Sequence, residues 1–289
     1  MHTECTNRYV GLLADGQVAI LSDVVETVRQ AIETHWRRIF NFAFRMTLDR
    51  REAKEVVFET FLRAYVGSDK MPAPAAIESW LIRIAAHVTE KRVGDHQDVS
   101  FDMLDDTLRS EATRTGEVRS LSDPQKNFML WELKQGCMTS VVNCLSAGER
   151  VAFVLSTILG VAEDDAAKTL GITPSAFKVR LSRARKKVTD YLAPRCEHVD
   201  PRNPCHCPSR LGVAMSRGFL PPPPNALAQI RQPYGRFGSS IDGEDAPLRD
   251  VMAIYQSLPD PDPPDDLAKE LLAKLDSAEW AEVKKKGKH

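Results

Sequence analysis

Two clusters in this chain carry side chains with chemistry to offer. The first spans residues 174–195, where Lys178, Arg180, Arg183, Arg185, Lys186 and Lys187 crowd a stretch whose sole acid is Asp190. Guanidinium and ammonium groups at this density bind phosphate oxygens, and arginine also reads base edges through its paired N–H donors. The second cluster follows at once, in RCEHVDPRNPCHC: Cys196, His198, Cys205, His206 and Cys207. Thiolate and imidazole together suit zinc or another thiolate-binding metal, and a tetrahedral shell needs four ligands. Cys196, His198, Cys205 and Cys207 are the candidate set, on a loop that Pro201, Pro204 and Pro208 would stiffen. The spacing is not the usual C-x2-C. A structural zinc site leads, with a metal- or redox-responsive switch and an ordered loop of free thiols as the alternatives.

The basic cluster needs a rigid element to present it, and residues 145–192 punctuate themselves as one. Ser146 and Glu149 have capping-box spacing at a helix start. An apolar run, 151–159, stops at Gly160. A short helix over about 162–170 stops at Gly171, a residue free to take the positive φ of a helix end. Thr173 then stands as N-cap and Pro174 at the first helical position, where its missing N–H costs nothing. Beyond it Phe177, Leu181, Ala184, Val188 and Tyr191 recur as one core-facing stripe, and the basic residues fall mostly off it. A short helix, a glycine turn and a basic second helix make a helix-turn-helix suited to the major groove. A solvated basic face is the bland reading. The acids Glu163, Asp164 and Asp165 are gathered on the preceding helix, and that segregation of sign favours DNA.

The bulk numbers frame this reading. The chain has 289 residues, room for one large or two to three small domains, is 43% hydrophobic, and its net charge is −1, so the positive charge is local. Strand-like alternation is scarce while helical periodicity recurs, which predicts an all-α fold. No apolar run approaches the roughly 18 residues of a membrane span, and the N-terminus lacks the pattern of a secretory signal. The cytoplasm is the expected location, and cysteines there serve as thiols or ligands sooner than as a disulfide frame. No glycine-rich phosphate loop, histidine-containing nucleophile set or paired-carboxylate constellation is present, so an enzyme is not expected.

In the first half, Ala53, Val56, Val57, Thr60, Phe61, Ala64 and Tyr65 form a clean helical stripe. Glu52, Glu55, Glu59 and Arg63 lie off it, and so does Phe58, an odd choice for water. After a proline-containing break comes a helix over about 76–92, with Trp80, Leu81, Ile84, Ala85 and Val88 as its core face.

Together these halves resemble the sigma-70 family of bacterial transcription initiation factors, in the small extracytoplasmic-function (ECF) group that keeps only regions two and four. AKEVVFETFLRAY (53–65) resembles the region-two helix that grips RNA polymerase, and SWLIRIAAHVTEKR (79–92) the helix that opens and reads the minus-ten element. LSAGERVAFVLSTILGVAEDDAAKTLGITPSAFKVRLSRARKKV resembles region four, the reader of the minus-thirty-five element. The resemblance implies Ser175, Lys178, Arg180, Arg183 and Arg185 as DNA contacts in region four, with Trp80, Arg83, His87 and Arg92 as contacts in region two. Trp80 also fits a plain core position. It implies Glu55, Phe58 and Glu59 at the polymerase surface. Departures occur: the family usually has aspartate where Glu55 stands, glutamine where Phe58 stands and asparagine where His87 stands. After Arg92 its basic run gives way to Gly94, Asp95, His96, Gln97 and Asp98.

The expected organisation is an N-terminal extension (1–28), a region-two-like helical domain (29–95), an acid-rich solvated linker (96–130), a region-four-like domain (131–195), the cysteine-rich segment (196–220) and a proline-rich linker with a helical tail (221–289). Cys137 and Cys144 are expected in the core. Tail helices are expected near 248–258 and 266–283, docked on the rest through Leu267, Leu271, Leu272 and Leu275, with the closing lysines in solvent. The function implied is a sigma factor that binds core RNA polymerase and promoter DNA, is regulated by its cysteine-rich extension and tail, and has an anti-sigma factor as a further partner. The rivals are a helix-turn-helix regulator that no longer binds polymerase and a protein-interaction module that binds no promoter.

Overall fold

The computed structural model describes residues 15–93, 100–109, 123–216, 218–220, 248–258 and 260–286. The chain is all-α. The one bridge among the described residues is an isolated parallel pairing of Cys196 with Cys205.

Helix α1 (Asp15–Thr47) turns into α2 (Arg50–Val66) through Leu48, whose φ is +60°, and Asp49 caps α2 by accepting from the Arg51 and Glu52 amides at 2.7 and 2.9 Å. The stripe predicted for α2 is buried in full, Ala53 through Tyr65. Helix α3 (Ile77–Val93) completes the first helical bundle, burying Leu81, Ala85 and Val88 and, beside the predicted face, Ile82. Trp80 and Ile84 are only half-buried against this core.

Helix α1 begins within the predicted N-terminal extension and runs through the expected boundary at 28 without a break. From Ile39 to Met46 every residue is buried, so helical periodicity vanishes there. A helix buried all round must be covered on every side; here α2 and α3 cover one flank and later parts of the chain the other.

The stretch expected as a solvated linker departs most from expectation. It contains α4 (Phe101–Arg109) and the start of α5 (Asp123–Asn143); residues 94–99 and 110–122 lie outside the described set. Phe101 packs on Tyr191 with ring centroids 4.8 Å apart, and Asp105 takes a two-pronged ion pair from Arg195 at 3.0 Å. A carboxylate read as solvated is therefore a partner of Arg195, just past the basic helix.

The helix-turn-helix follows its local signals closely. The Ser146–Glu149 capping box opens α6 (Ala147–Phe153), a π-turn (Val154–Ile158) extends it, and Gly160 follows with φ +67°. Helix α7 (Glu163–Leu170) ends at Gly171 with φ +67°, and Thr173 caps α8 (Pro174–Leu192) through the Ala176 amide at 3.2 Å. Phe177, Leu181, Ala184, Val188 and Tyr191 are all buried.

The cysteine-rich loop leads into α9 (Cys207–Ser216). The tail supplies α10 (Val251–Gln256), α11 (Leu267–Leu275) and α12 (Ala278–Lys286), so the last expected helix is two, broken at Asp276 and Ser277. Leu267, Leu271 and Leu275 are buried, as expected of a docked face. The expectation for Lys284 is corrected: it is buried, its ammonium 4.3 Å from the Tyr65 ring centroid and donating to Ser68 Oγ at 2.7 Å. The aromatic face and hydroxyl offset the charge's lost hydration. Pro221 to Pro224 lie outside the described residues, as does the segment 225–247.

Candidate nucleic-acid interface and cysteine cluster

On α8 the stripe that packs inward leaves the opposite side free. Ser175, Lys178, Val179, Ser182 and Arg183 line one shallow open surface there. Of the predicted contacts, Ser175, Lys178 and Arg183 share this face. Val179 and Ser182 were missed, although Val179 is 48% exposed. An exposed valine on a helix otherwise basic is a signal that could have found it, because thymine methyls are read by apolar contact.

The other two predicted arginines point elsewhere. The Arg180 guanidinium lies against Gly148, and Arg185 pairs with Glu163 of α7 at 3.6 Å. Lys187 is held by Glu149 at 2.7 Å and Lys186 by Asp190 at 2.8 Å.

Arg180 also lines a cavity between the two domains, shared with Arg63, Arg83, His87 and Glu90 of region two. Region two's predicted DNA contacts are drawn toward region four at this place. Arg83 donates to the carbonyls of Thr169 at 2.7 Å and Lys168 at 2.9 Å, the C-terminal end of α7. The Lys168 carbonyl also accepts the Gly171 amide at 3.1 Å, and both carbonyls sit at the negative pole of the helix dipole, a natural seat for a guanidinium. Arg92 is turned back on Glu59 at 3.2 Å and Glu52 at 3.4 Å, whereas His87 is exposed.

On the predicted polymerase helix, Glu55 is exposed and Glu59 is bridged by Arg63 and Arg92. Phe58 is half-buried against a core that includes Leu267, Leu271, Leu275 and Trp280 of the tail. Lys54 stands 5.8 Å over the Phe58 ring and pairs with Glu270 of α11 at 2.6 Å. Further along, Trp280 stacks on Tyr65 with centroids 6.2 Å apart. Lys54 thus links Phe58 to the tail helix α11.

The tail also enters the junction between domains. Tyr255 is fully buried, edge-on to Phe153 at 4.9 Å, with its hydroxyl donating to the Met138 carbonyl at 3.0 Å. Around it, buried Arg45 of α1 donates to Thr139 of α5 at 2.8 Å, and Arg150 of α6 donates to the Met46 carbonyl at 3.0 Å. Burial pulls the Arg45 guanidinium down to about 10, against the opposing pull of Asp260 and Tyr255. Asn41 in turn donates to Asp260. These contacts are the polar lining of a joint that the tail closes.

In the cysteine cluster, Glu197, His198 and Cys207 bring their ligand atoms within 4.8 Å of one another. The Cys207 thiol is 3.4 Å from His198 Nε2. Burial lowers the His198 imidazole to about 4, with Lys134 adding to the effect, so the ring is neutral near pH 7. Cys196 is buried and its thiol raised to about 11 by that burial, while the Cys205 thiol bonds to Arg210. Of the predicted set, His198 and Cys207 converge directly. Cys196 and Cys205 are joined through backbone, Cys205 donating its amide to Arg195 and accepting from the Glu197 amide.

Comparison with known proteins follows the same division of the chain. The model of "Sigma-70 region 2" matches residues 31–98, and that of "Sigma-70, region 4" matches residues 135–188. The chain is 26% identical over 182 residues to the ECF RNA polymerase sigma factor SigE of Mycolicibacterium smegmatis, covering 62% of this chain and 65% of that protein. That alignment spans just under two thirds of the relative's length. It is 29% identical over 138 residues to the ECF RNA polymerase sigma factor SigC of Mycobacterium tuberculosis, covering 47% and 68%. To the RNA polymerase sigma factor CnrH of Cupriavidus metallidurans it is 23% identical over 163 residues, covering 56% and 85%. A crystal structure of the sigma factor RpoE with the anti-sigma factor NepR from Bartonella quintana aligns at a TM-score of 0.35 and 20% identity, over 62% of this chain and 98% of that one.

Proposed function

From the premise that this chain belongs to the sigma-70 family, in its extracytoplasmic-function group, we propose that it binds core RNA polymerase and directs it to promoters, without catalysis of its own. The observation that carries this reading is the outward face of α8, where Ser175, Lys178, Val179, Ser182 and Arg183 present one exposed recognition surface. Region two would read the minus-ten element through α3 and meet the polymerase through α2. The rival regulator without polymerase binding is not favoured, because the region-two match includes the whole of α2, with Glu55 and Glu59 on its surface. The chain would act in the cytoplasm, where promoters and polymerase are. Among the described residues no helix is long and apolar enough to cross a membrane.

The arrangement of the domains supports regulation from within the chain. Promoter elements some 25 base pairs apart are separated by roughly 85 Å of duplex at ~3.4 Å per pair. Here the two readers share one cavity, with Arg83, held by α7, and Arg180 both in its lining. This closed chain cannot span a promoter, so initiation requires the domains to part. The tail opposes parting in two places: α10 plugs the joint through Tyr255, and α11 and α12 cover the flank of α2 next to Phe58. A separate anti-sigma factor would compete with the tail for that flank. The metal expected at the cysteine cluster would act on the same assembly, since the Arg249 amide at the tail's start donates to the Val199 carbonyl, next to His198.

Run-off transcription with bacterial core polymerase over a promoter library tests the reading. The full chain should yield transcripts sharing upstream motifs, and a chain ending at Leu220 should yield more. No transcript and no core binding from either would overturn the sigma reading. Equal transcription from both would overturn the role of the tail alone.

A further inference from the structure

The outward face of α8 has short, uncharged side chains along its centre. Ser175, Val179 and Ser182 fall within about 40° of the line opposite the buried stripe, at about 100° per residue, while Lys178 and Arg183 stand about 60–80° to either side. All five are exposed. The other cations of the helix are engaged within the chain. Arg180 lies against Gly148, and Arg185, Lys186 and Lys187 meet Glu163, Asp190 and Glu149. Lys186 shares the central line one turn beyond Ser182, turned to Asp190 at 2.8 Å. Lys178 and Arg183 have no ion pair among the described residues.

Val179 does nothing for the fold. It is 48% exposed and takes part in neither apolar core. A β-branched residue also suits a helix less well than alanine or lysine. Its position at the centre of a face bracketed by two unpaired cations needs a partner that is both anionic and locally apolar. The major groove of DNA is such a partner: phosphates line its walls, and the one apolar feature on its floor is the C5-methyl of thymine. A valine is too short to touch a base unless its helix lies deep in the groove. With serine on either side of it along the central line, no long side chain holds α8 away.

We propose that Val179 is a specificity residue that packs on the C5-methyl of one thymine in the upstream promoter element, so that α8 selects an A·T pair there by apolar contact. This rests on the reading of α8 as the promoter-binding helix. Lys178 on one side and Arg183 on the other fix where along the groove the valine falls. The Ser175 and Ser182 hydroxyls each donate or accept, so they fit any base edge beside the methyl and choose little by themselves. Taking one methyl group out of water corresponds to about a fourfold change in affinity.

Deoxyuridine scanning tests the contact. Deoxyuridine keeps the pairing and the O4 acceptor of thymine and lacks only the methyl. Holoenzyme is assembled from the full chain and bacterial core polymerase. Its binding is measured on a promoter that it selects from a library, with each thymine of the upstream element replaced in turn. One replacement should weaken binding about fourfold. Val179→Ala should weaken binding to the unaltered promoter by a similar factor and bind the thymine and deoxyuridine duplexes alike, the non-additivity of two groups in contact. Ser182→Ala should keep the methyl dependence in full. Val179→Ala installs the best helix former at an exposed position, so it should melt no earlier than the unaltered chain, which separates lost recognition from a lost fold. A methyl dependence that survives in Val179→Ala would overturn the proposal, as would an element whose thymines can all be replaced without loss, or one with no A·T pair. Weaker binding of Val179→Ala to core polymerase without DNA, with the methyl dependence unchanged, would make this a protein-binding face instead. Failure of the sigma reading has a different signature: no promoter is selected and core polymerase is not bound, and both conclusions fall.

Discussion

Replacing Tyr255 with alanine should open the chain. In the closed form Tyr255 has no exposed surface, meets Phe153 edge-on at 4.9 Å and donates its hydroxyl to the Met138 carbonyl at 3.0 Å. Truncating a fully buried aromatic to alanine costs about 3–5 kcal/mol. If opening releases α10, that side chain is solvated in the open form, so the cost falls on the closed form alone. At ~1.4 kcal/mol per factor of ten, the equilibrium shifts toward opening by about 100- to 4,000-fold. Tyr255→Phe keeps the ring and loses the hydroxyl contact, worth about 1 kcal/mol, a shift of about fivefold. Transcription by both variants, measured with core polymerase on a promoter selected by the unaltered chain, should rise in that order. Promoter binding and core binding should tighten together. If both variants melt earlier but transcribe like the unaltered chain, α10 is core filling and the closed form is not a brake.

Other expectations follow from single contacts. Arg183→Ala should relax specificity at one base pair of the upstream element, costing about 1–3 kcal/mol, whereas Lys178→Ala should weaken all sequences alike and reduce the salt slope by about one; a fluorescence binding series over salt and sequence separates the two. Gly171→Ala should lower stability by about 1–2 kcal/mol in thermal melts, because φ of +67° at the end of α7 is strained for any residue with a Cβ. Burial raises the Glu149 carboxyl, but hydrogen bonds from Lys187 and Ser146 outweigh it, so it titrates below the ordinary 4.5. Its contribution is therefore complete above pH 4.5 and lost as pH falls through the lower folded value. Glu149→Gln should flatten that acid limb in denaturant titrations at successive pH values.

The helices that carry the candidate DNA-contacting side chains were legible from residues a few positions apart. Ser146 with Glu149, Gly171, Thr173 with Pro174, and the stripes of α2 and α8 each act within one or two turns, so a linear pattern contains the cause. The same holds for the short leucine face of α11, which needed some partner. What the linear pattern could not contain is which distant surface meets which. Arg83 reads as a promoter contact, and only packing of α7 against α3 delivers it to the Thr169 carbonyl. Lys284 reads as a solvated end until the Tyr65 ring and Ser68 lie beneath it. Asp105 reads as linker charge until Arg195 arrives from region four. Periodicity and capping are short-range, set by backbone geometry that each segment carries with it. Pairings between segments a hundred residues apart depend on the docking of whole surfaces, and that is decided only when the tertiary structure forms.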